Sequence, residues 1–447
     1  MTTPVHEPAE GTAKPPRARR ALVAGSVGNF IEWYEFGVYG YLATVIAANF
    51  FTPEGGSDVE GLVRTYASFA LAFFFRPVGA AVFGRLGDRI GRRPTLILVV
   101  LLMTVATTLI GLLPTYATVG AAAPWLLTLL RILQGLSAGG EFGGAVSIMT
   151  EFAPPGRRGL YGSWQSFTVA LGLLAGAGMA ALLATVLSES DLSGWGWRLP
   201  FLLTLPLGLA ALWLRLKLEE TPSFRRTARA RTPDAGGTPR PEPVAAAPAR
   251  ETAKAIALGT GRLMGWSAAG YTFLVVMPSY LQSTLNATFQ QALIATVVAN
   301  LGFAASIIPA GALSDRIGRR AVMVAGAALV AVLAFPLLHL LQDPDASTAA
   351  KGIAVFAAGA VVGLMAGPGP AMLAEMFPTS ARYTGLGLAY SLSNAVFSGC
   401  AGLIITEAVE RTGDIDIPAH YVVVTCAVST LALLTLRGDD HRRALRD

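Results

Sequence analysis

Two glutamates, Glu32 and Glu35, stand three residues apart inside an otherwise apolar run, with Asn29 one turn before them and Tyr39 one turn after. At helical spacing such residues share a face. Two carboxylates this close do not easily both ionise, so one is expected to hold a proton near neutral pH. The chemistry on offer is reversible protonation in an apolar setting. The alternative is a buried carboxylate permanently paired with an arginine.

Arginines that could answer those acids also lie inside apolar runs. Arg76 is followed by Pro77, and Arg131 stands about eight residues into its run. A guanidinium can hold a carboxylate by two parallel hydrogen bonds. Arg76 is therefore either a binding group for a carboxylate-bearing ligand or a fixed partner of Glu32 or Glu35; both readings stay open. Glu141, ten residues beyond Arg131, is a candidate second proton site or one half of a structural pair. Arg262 is close enough to the end of its run to snorkel. Arg198, between Trp195 and Trp197, reads as an interfacial anchor, as does His339.

The polar and aromatic residues Asn29, Tyr34, Tyr39, Trp164, Gln165, Tyr271, Tyr280, Tyr390 and Asn394 are candidates to line a cavity. Aromatic rings favour a quaternary or secondary ammonium, although such residues more often face lipid or pack. No nucleophile–base set, metal-ligand cluster or phosphate-cradling G-x-x-x-x-G-K-[ST] loop occurs. No catalytic residue, metal or cofactor is therefore expected. The two cysteines, Cys400 and Cys426, lie in apolar runs and read as packing residues.

The elements that must carry these residues are long apolar helices. The 447-residue chain is 53% hydrophobic and only 14% charged, with a mean hydropathy of +0.54. A soluble chain carries about 25% charged residues. Twelve runs are long enough to cross a bilayer, which takes about 20 residues: 21–50, 63–86, 95–113, 122–150, 160–187, 196–215, 255–283, 291–313, 321–342, 352–374, 384–408 and 418–436. Helices satisfy every backbone group internally, as lipid requires, and no alternation of the kind a barrel strand needs is present. The fold class expected is an all-α membrane protein of two six-helix bundles. No cleavable signal peptide is expected at the polar, Pro-rich start.

Charge sets the orientation. With the first residues placed in the cytoplasm, 27 of 34 Lys and Arg fall on that side. Both termini are expected there. The basic residues flank membrane spans, so the net charge of +6 is not a nucleic-acid signal. Residues 1–20 and 216–254, rich in Pro, Arg and Ala, read as disordered or weakly structured. They set off bundles at 21–215 and 255–436, followed by a C-tail at 437–447.

The halves repeat. GRLGDRIGRRP from Gly84 and GALSDRIGRRA from Gly311 share eight of eleven positions, with Asp88 and Asp315 separated by 227 residues. Glu151–Pro154–Arg158 and Glu375–Pro378–Arg382 form a second pair, the two glutamates 224 residues apart. Such repeats imply duplicated halves. Asp88, Arg89, Arg92, Arg93, Glu151, Asp315, Arg316, Arg319, Arg320, Glu375 and Arg382 are read as gating residues. An Asp held by a short turn can approach a helix N-terminus, and the arginines can reach Glu151 or Glu375. The alternative is a pure insertion signal.

These paired loops resemble the signature of the major facilitator superfamily. GNFIEWYEFGVYG, FRPVG, RILQGLSAGGEFGG, WGWRLPF, LEETPSF, MPSYL and EMFPTSARYTG are similar to the metabolite:proton symporters, which include proline/betaine and α-ketoglutarate transporters. The resemblance implies alternating access and proton-coupled symport of a small polar solute. It implies that Arg131, in the R-x-x-Q-G pattern, approaches the acid of the first helix. With the readings of the residues above, the candidate set for proton coupling is Glu32, Glu35, Arg131 and Glu141. The candidates for the solute are Asn29, Tyr39, Arg76, Gln165, Tyr271, Tyr390 and Asn394. Glu35 stands where the family more often shows Asp. Helix 5 has Gly172, Gly176 and Gly178 but no Gly-Pro motif, which favours symport. After the short C-tail, the coiled-coil extension of some osmosensing relatives is not expected. A zwitterion such as proline or betaine, or an organic carboxylate, is the expected solute, with protons and the lipid bilayer as the other partners and a single chain sufficing. A solute sensor without transport, or a membrane enzyme, are the other classes.

Overall fold

The computed structural model describes residues 15–53, 55–90, 92–151, 153–216, 249–438 and 442, and among these no strand occurs. Twelve long helical segments follow in order, with a short helix, Tyr116–Val119, between the third and the fourth. In the first half, α1 runs over 15–51, α2 is Asp58–Ile90, α3 is Arg92–Leu112, α4 runs over 122–151, α5 is Arg158–Val186 and α6 is Glu189–Leu216. In the second half, α7 runs over 249–283, α8 is Phe289–Ile317, α9 is Arg319–Gln342, α10 is Thr348–Met376, α11 runs over 379–412 and α12 is Ile417–Leu434. By length and composition nine of these can cross a membrane; the other three, α1, α4 and α7, hold the buried residues Glu32, Glu35, Arg131 and Arg262.

Two boundaries differ from the sequence reading. α1 reaches back to Pro15, inside the segment expected to be disordered, and α7 starts at Ala249, inside the expected linker. The stretch Ala249–Lys254 is made of Ala, Arg, Glu, Thr and Lys, mostly strong helix formers, with Glu251 in the first turn where the helix dipole favours it. Hydropathy alone registers only the apolar part of such a helix. Residues 1–14 and 217–248, the remainder of those two segments, lie outside the described residues.

Glycines set how closely the helices approach. A Cβ at Gly135 or Gly139 of α4 would overlap the carbonyls of Ala72 or Arg76 in α2. In the second half a Cβ at Gly359 of α10 would overlap the Ala299 carbonyl of α8, and one at Gly363 the Ser306 hydroxyl. Small residues let backbones touch where lipid supplies no hydrophobic drive. Gly135 and Gly359 are 224 residues apart, as are Gly139 and Gly363, matching the Glu151–Glu375 repeat. The duplication therefore extends into the packing. Residues such as Leu101, Val105, Val332 and Ile353 stay exposed on the outside, the surface that lipid chains cover.

Candidate functional site

The close α2–α4 crossing brings Arg76 and Arg131 in behind α1. Glu32 forms an ion pair with Arg76, and both side chains are almost fully buried. The Arg76 guanidinium also lies 4.6 Å from the Phe36 ring centroid, 4.7 Å from Phe73 and 5.4 Å from Trp33. These rings favour a cation through their quadrupoles. Of the two readings of Arg76, a partner for a helix 1 acid is the one this state shows.

Glu35 points elsewhere and is fully buried. Its Oε2 accepts from the Thr107 hydroxyl at 2.7 Å, and its Oε1 has no partner among the described residues. Thr107 accepts from Gln134 Nε2 at 2.6 Å, and Gln134 Oε1 accepts from Arg131 Nη1 at 2.7 Å. Arg131 thus reaches the acid through two side chains rather than directly. Its guanidinium sits 4.1 Å from the centroid of Tyr39, and its Nε and Nη2 have no hydrogen-bond partner among the described residues. Thr107 has a second acceptor, the Met103 carbonyl at 3.0 Å. A hydroxyl has one proton and two lone pairs. It can donate to a Glu35 carboxylate, or turn to Met103 and accept from a Glu35 carboxylic acid. The arrangement accommodates both protonation states.

A second group of residues lies between the halves. Trp33 of α1 faces Trp266 and Tyr271 of α7, Phe303 of α8 and Tyr390 and Asn394 of α11, around a cavity of about 30 Å³. That is room for a water or two, so admitting a larger solute requires the halves to part. Trp33 and Tyr271 are 6.2 Å apart between centroids, Trp266 and Tyr390 6.0 Å, and Tyr390 stacks on Phe142 of α4 at 3.5 Å. Tyr271 immediately precedes the π-helical turn Thr272–Val276, and Asn394 opens another, Asn394–Gly399. Wide turns of this kind recur at functional sites.

The halves also meet toward both ends of the helices. On one side Tyr66 of α2 meets Ser279 of α7 at 2.7 Å, and Thr44 donates to Gln282 at 3.0 Å. On the other, Asp315 accepts the backbone N–H groups of Gly159 and Leu160, at the start of α5. Arg319 bonds Asp315 at 2.8 Å and Glu375 at 3.0 Å, and Arg158 adds a contact to Glu375 at 3.4 Å. Arg382 is buried and bonds the Ala374 carbonyl. Arg316 and Arg320 are exposed and stand outside this network: in the turn after α8 only every third or fourth side chain faces α5 and α10. The side chains of Asp88, Arg89, Arg92, Arg93 and Glu151 lie outside the described residues.

The remaining expectations divide. Tyr271, Tyr390 and Asn394 line the cavity. Asn29 and Gln165 do not; Asn29 bonds Thr168 at 2.6 Å and the Gln165 carbonyl at 3.2 Å, tying α1 to α5. Tyr39 stacks on Phe69 and donates to the Thr65 carbonyl, Tyr34 donates to Pro200, and Trp164 is half exposed. Glu141 pairs with Arg215 of α6. Arg198 caps the end of α3, bonding the carbonyls of Gly111 and Leu113; of its two flanking tryptophans, Trp197 is fully buried and Trp195 half exposed. Sequence reasoning missed Trp33, Trp266, Thr107, Gln134 and Arg215. Trp33 and Gln134 sit inside the motifs already quoted; Thr107 and Trp266 are polar-capable residues in apolar helices whose facing only packing reveals.

Comparison with known proteins adds a pedigree to this geometry. Residues 21–238 match the family model described as sugar (and other) transporter, and residues 263–446 that of the major facilitator superfamily. The proline/betaine transporter of Salmonella typhimurium is 33% identical, over 95% of this chain and 85% of its own. The glycine betaine/proline/ectoine/pipecolic acid transporter of Dickeya dadantii is 34% identical, over 94% and 83%. The ectoine/proline transporter of Corynebacterium glutamicum is 33% identical, over 96% and 86%. Among solved structures, a proton:xylose symporter bound to 6-bromo-6-deoxy-D-glucose superposes with a TM-score of 0.74 over 94% of this chain and 95% of its own, at 17% identity. That likeness concerns the fold.

Proposed function

Because this chain belongs to the major facilitator superfamily, among relatives that are proline/betaine transporters, we propose that it carries a compact zwitterion into the cell together with a proton. The chain is a multi-pass membrane transporter and not an enzyme. The observation that carries the coupling is Glu35: fully buried and, among the described residues, with one oxygen bonded only to Thr107 and the other unpartnered, beside an Arg131 that has no ion pair among them. A lone carboxylate there is costly, so Glu35 holds the proton while the halves are closed and Arg131 takes the charge back when the proton leaves.

The solute reading rests on the second group. Trp33, Trp266, Tyr271 and Tyr390 offer ring faces to an ammonium, and Trp33 also contacts Arg76. A solute carboxylate competes with Glu32 for the Arg76 fork. Proline, betaine and ectoine meet both requirements; an organic carboxylate without an ammonium leaves the rings unused. Asn29, Tyr39 and Gln165 support the site by holding α1 against α5 and α2. Arg319, Asp315 and Glu375 form one cytoplasmic gate, and Asp88, Arg92 and Glu151 its counterpart. The distribution of 27 of 34 basic residues supports both termini in the bacterial cytoplasm, and one chain supplies every part of the site.

The test is uptake of labelled proline and betaine into proteoliposomes under an imposed pH gradient. Glu35→Gln is expected to abolish accumulation against a gradient while solute exchange continues. Undiminished accumulation in that variant would remove Glu35 from the coupling step.

A further inference from the structure

A second cavity lies inside the first bundle, on the side of α1 away from the aromatic rings. It encloses about 20 Å³ between α1, α3, α4 and α6, and none of its lining residues lines the cavity between the halves. Its position follows from helix geometry. Ile31 is one turn before Glu35 on α1, Met103 one turn before Thr107 on α3, and Ser137 one turn after Gln134 on α4; all three line it. The cavity therefore continues the Glu35–Thr107–Gln134 relay along the same three helix faces, toward the end of the bundle that holds the basic loops. Its far wall is Glu141, two turns beyond Gln134.

Charge marks that far end. Glu141 pairs with Arg215, whose side chain is 3% exposed and which also donates to the Leu96 carbonyl of α3 at 2.8 Å. One arginine from α6 thus ties α3 and α4 together at the mouth. Gly28 of α1 makes room for it, since a Cβ there would overlap the guanidinium. The charged groups among the described residues facing this space are Glu32, already held by Arg76, and the Glu141–Arg215 pair. Glu141 keeps 12% exposure, more than Glu32 at 8%.

We propose that this cavity, with Glu141 and Arg215 at its mouth, is the route by which the proton leaves Glu35 for the cytoplasm, separate from the path of the solute. The inference rests on Glu35 as the coupling acid. At rest a volume of this size holds a single water. Glu35 stands beyond its lining, about two helical turns (roughly 10 Å) from the level of Gly28 and Glu141, so the transfer runs when the cavity widens to take a short file of waters. The Glu35 carboxyl gives its proton to the first water as the last gives one to the Glu141 carboxylate. Glu141, now neutral, loosens from Arg215 and releases the proton to cytoplasmic water, after which the ion pair re-forms. Glu35 is left as a carboxylate that accepts from Thr107, with Arg131 as its counter-charge. Because proton and solute leave through different walls of α1, solute exchange does not require the proton route.

Full-length protein in proteoliposomes, loaded with a pH-sensitive dye and given labelled proline outside, separates the two paths. Ala211→Leu fills the cavity from α6, and Ala138→Val is a second, smaller filling variant; Glu141→Gln removes the acceptor. Proline-driven acidification of the lumen is expected to slow tenfold or more in all three. Proline counterflow, which needs no proton release, stays at the wild-type rate in the two filling variants. Wild-type acidification rates in Ala211→Leu and Ala138→Val overturn the route while leaving Glu35 as the coupling acid. Equal loss of counterflow and acidification in both also overturns it. Wild-type protein that imports proline with no acidification overturns the coupling itself, and this route with it.

Discussion

Asp315, at the end of α8, accepts the backbone N–H of Gly159, the second residue of α5, at 2.7 Å. One half of the molecule thereby caps a helix of the other, and the positive end of the α5 dipole meets a carboxylate. Arg319 holds that carboxylate in place while gripping Glu375 with its other nitrogens. Closure at this end is thus a contact between halves that a rocking motion must break.

Asp315→Asn keeps the shape but loses the charge. The cap contributes about 1 kcal/mol, so the closed form should become about fivefold less favoured. A cysteine at Ser166, whose hydroxyl bonds the Ala366 carbonyl across the same interface, reports the change in a background without Cys400 and Cys426. Labelling from the cytoplasmic side should speed up in Asp315→Asn. An unchanged labelling rate and turnover would reduce the loop to an insertion signal.

Thr107→Val removes the hydroxyl that joins Glu35 to Gln134 and Arg131 while keeping the volume. A hydrogen bond to a charged group is worth about 1.5–3 kcal/mol. Proton-driven accumulation should drop on the order of tenfold or more, and Thr107→Ser should restore it. If Thr107→Val and Thr107→Ser behave alike, the hydroxyl has no part in coupling.

Arg76→Lys keeps a cation but loses the fork and the flat contact with Phe36, Phe73 and Trp33. The KM for betaine should rise several-fold. Inhibition by choline, which has the same ammonium and no carboxylate, should be unaffected by this change and weakened by Tyr390→Leu. A parallel loss for both ligands in Arg76→Lys would mean that the arginine shapes the site without meeting a carboxylate.

The far loop offers a pH-dependent contact outside the membrane spans. Asp416, just before α12, accepts from the Gln342 amide at 2.9 Å and faces His339 at 3.2 Å. The amide, aided by the histidine, holds its carboxyl below the usual carboxylate range. A lowered value in the folded state means that the contact stabilises the protein above the unfolded value, about 3.9, and is lost as pH falls through the folded value. In thermal unfolding followed from about pH 6 to pH 3, wild type should lose more Tm than Asp416→Asn. Parallel curves would show that the contact carries no net stability.

Twelve spans, two halves and the membrane setting were legible in the sequence, because lipid demands long apolar helices and repetition leaves matched motifs such as those at Asp88 and Asp315. The acids and arginines were legible too, since a charge in an apolar run is conspicuous wherever it points. Their partners were not. Glu32 and Glu35 look equivalent at three-residue spacing, yet the turn of α1 sends one to Arg76 and the other to Thr107. Asn29 and Gln165 carry the chemistry of a binding site, and in this structure their hydrogen bonds run between α1 and α5, while Trp33, between the two glutamates, faces the cavity. Hydropathy records that a residue is inside a span. Which neighbouring helix it meets depends on where glycines such as Gly135 and Gly359 let backbones touch, and that is a property of the packed bundle.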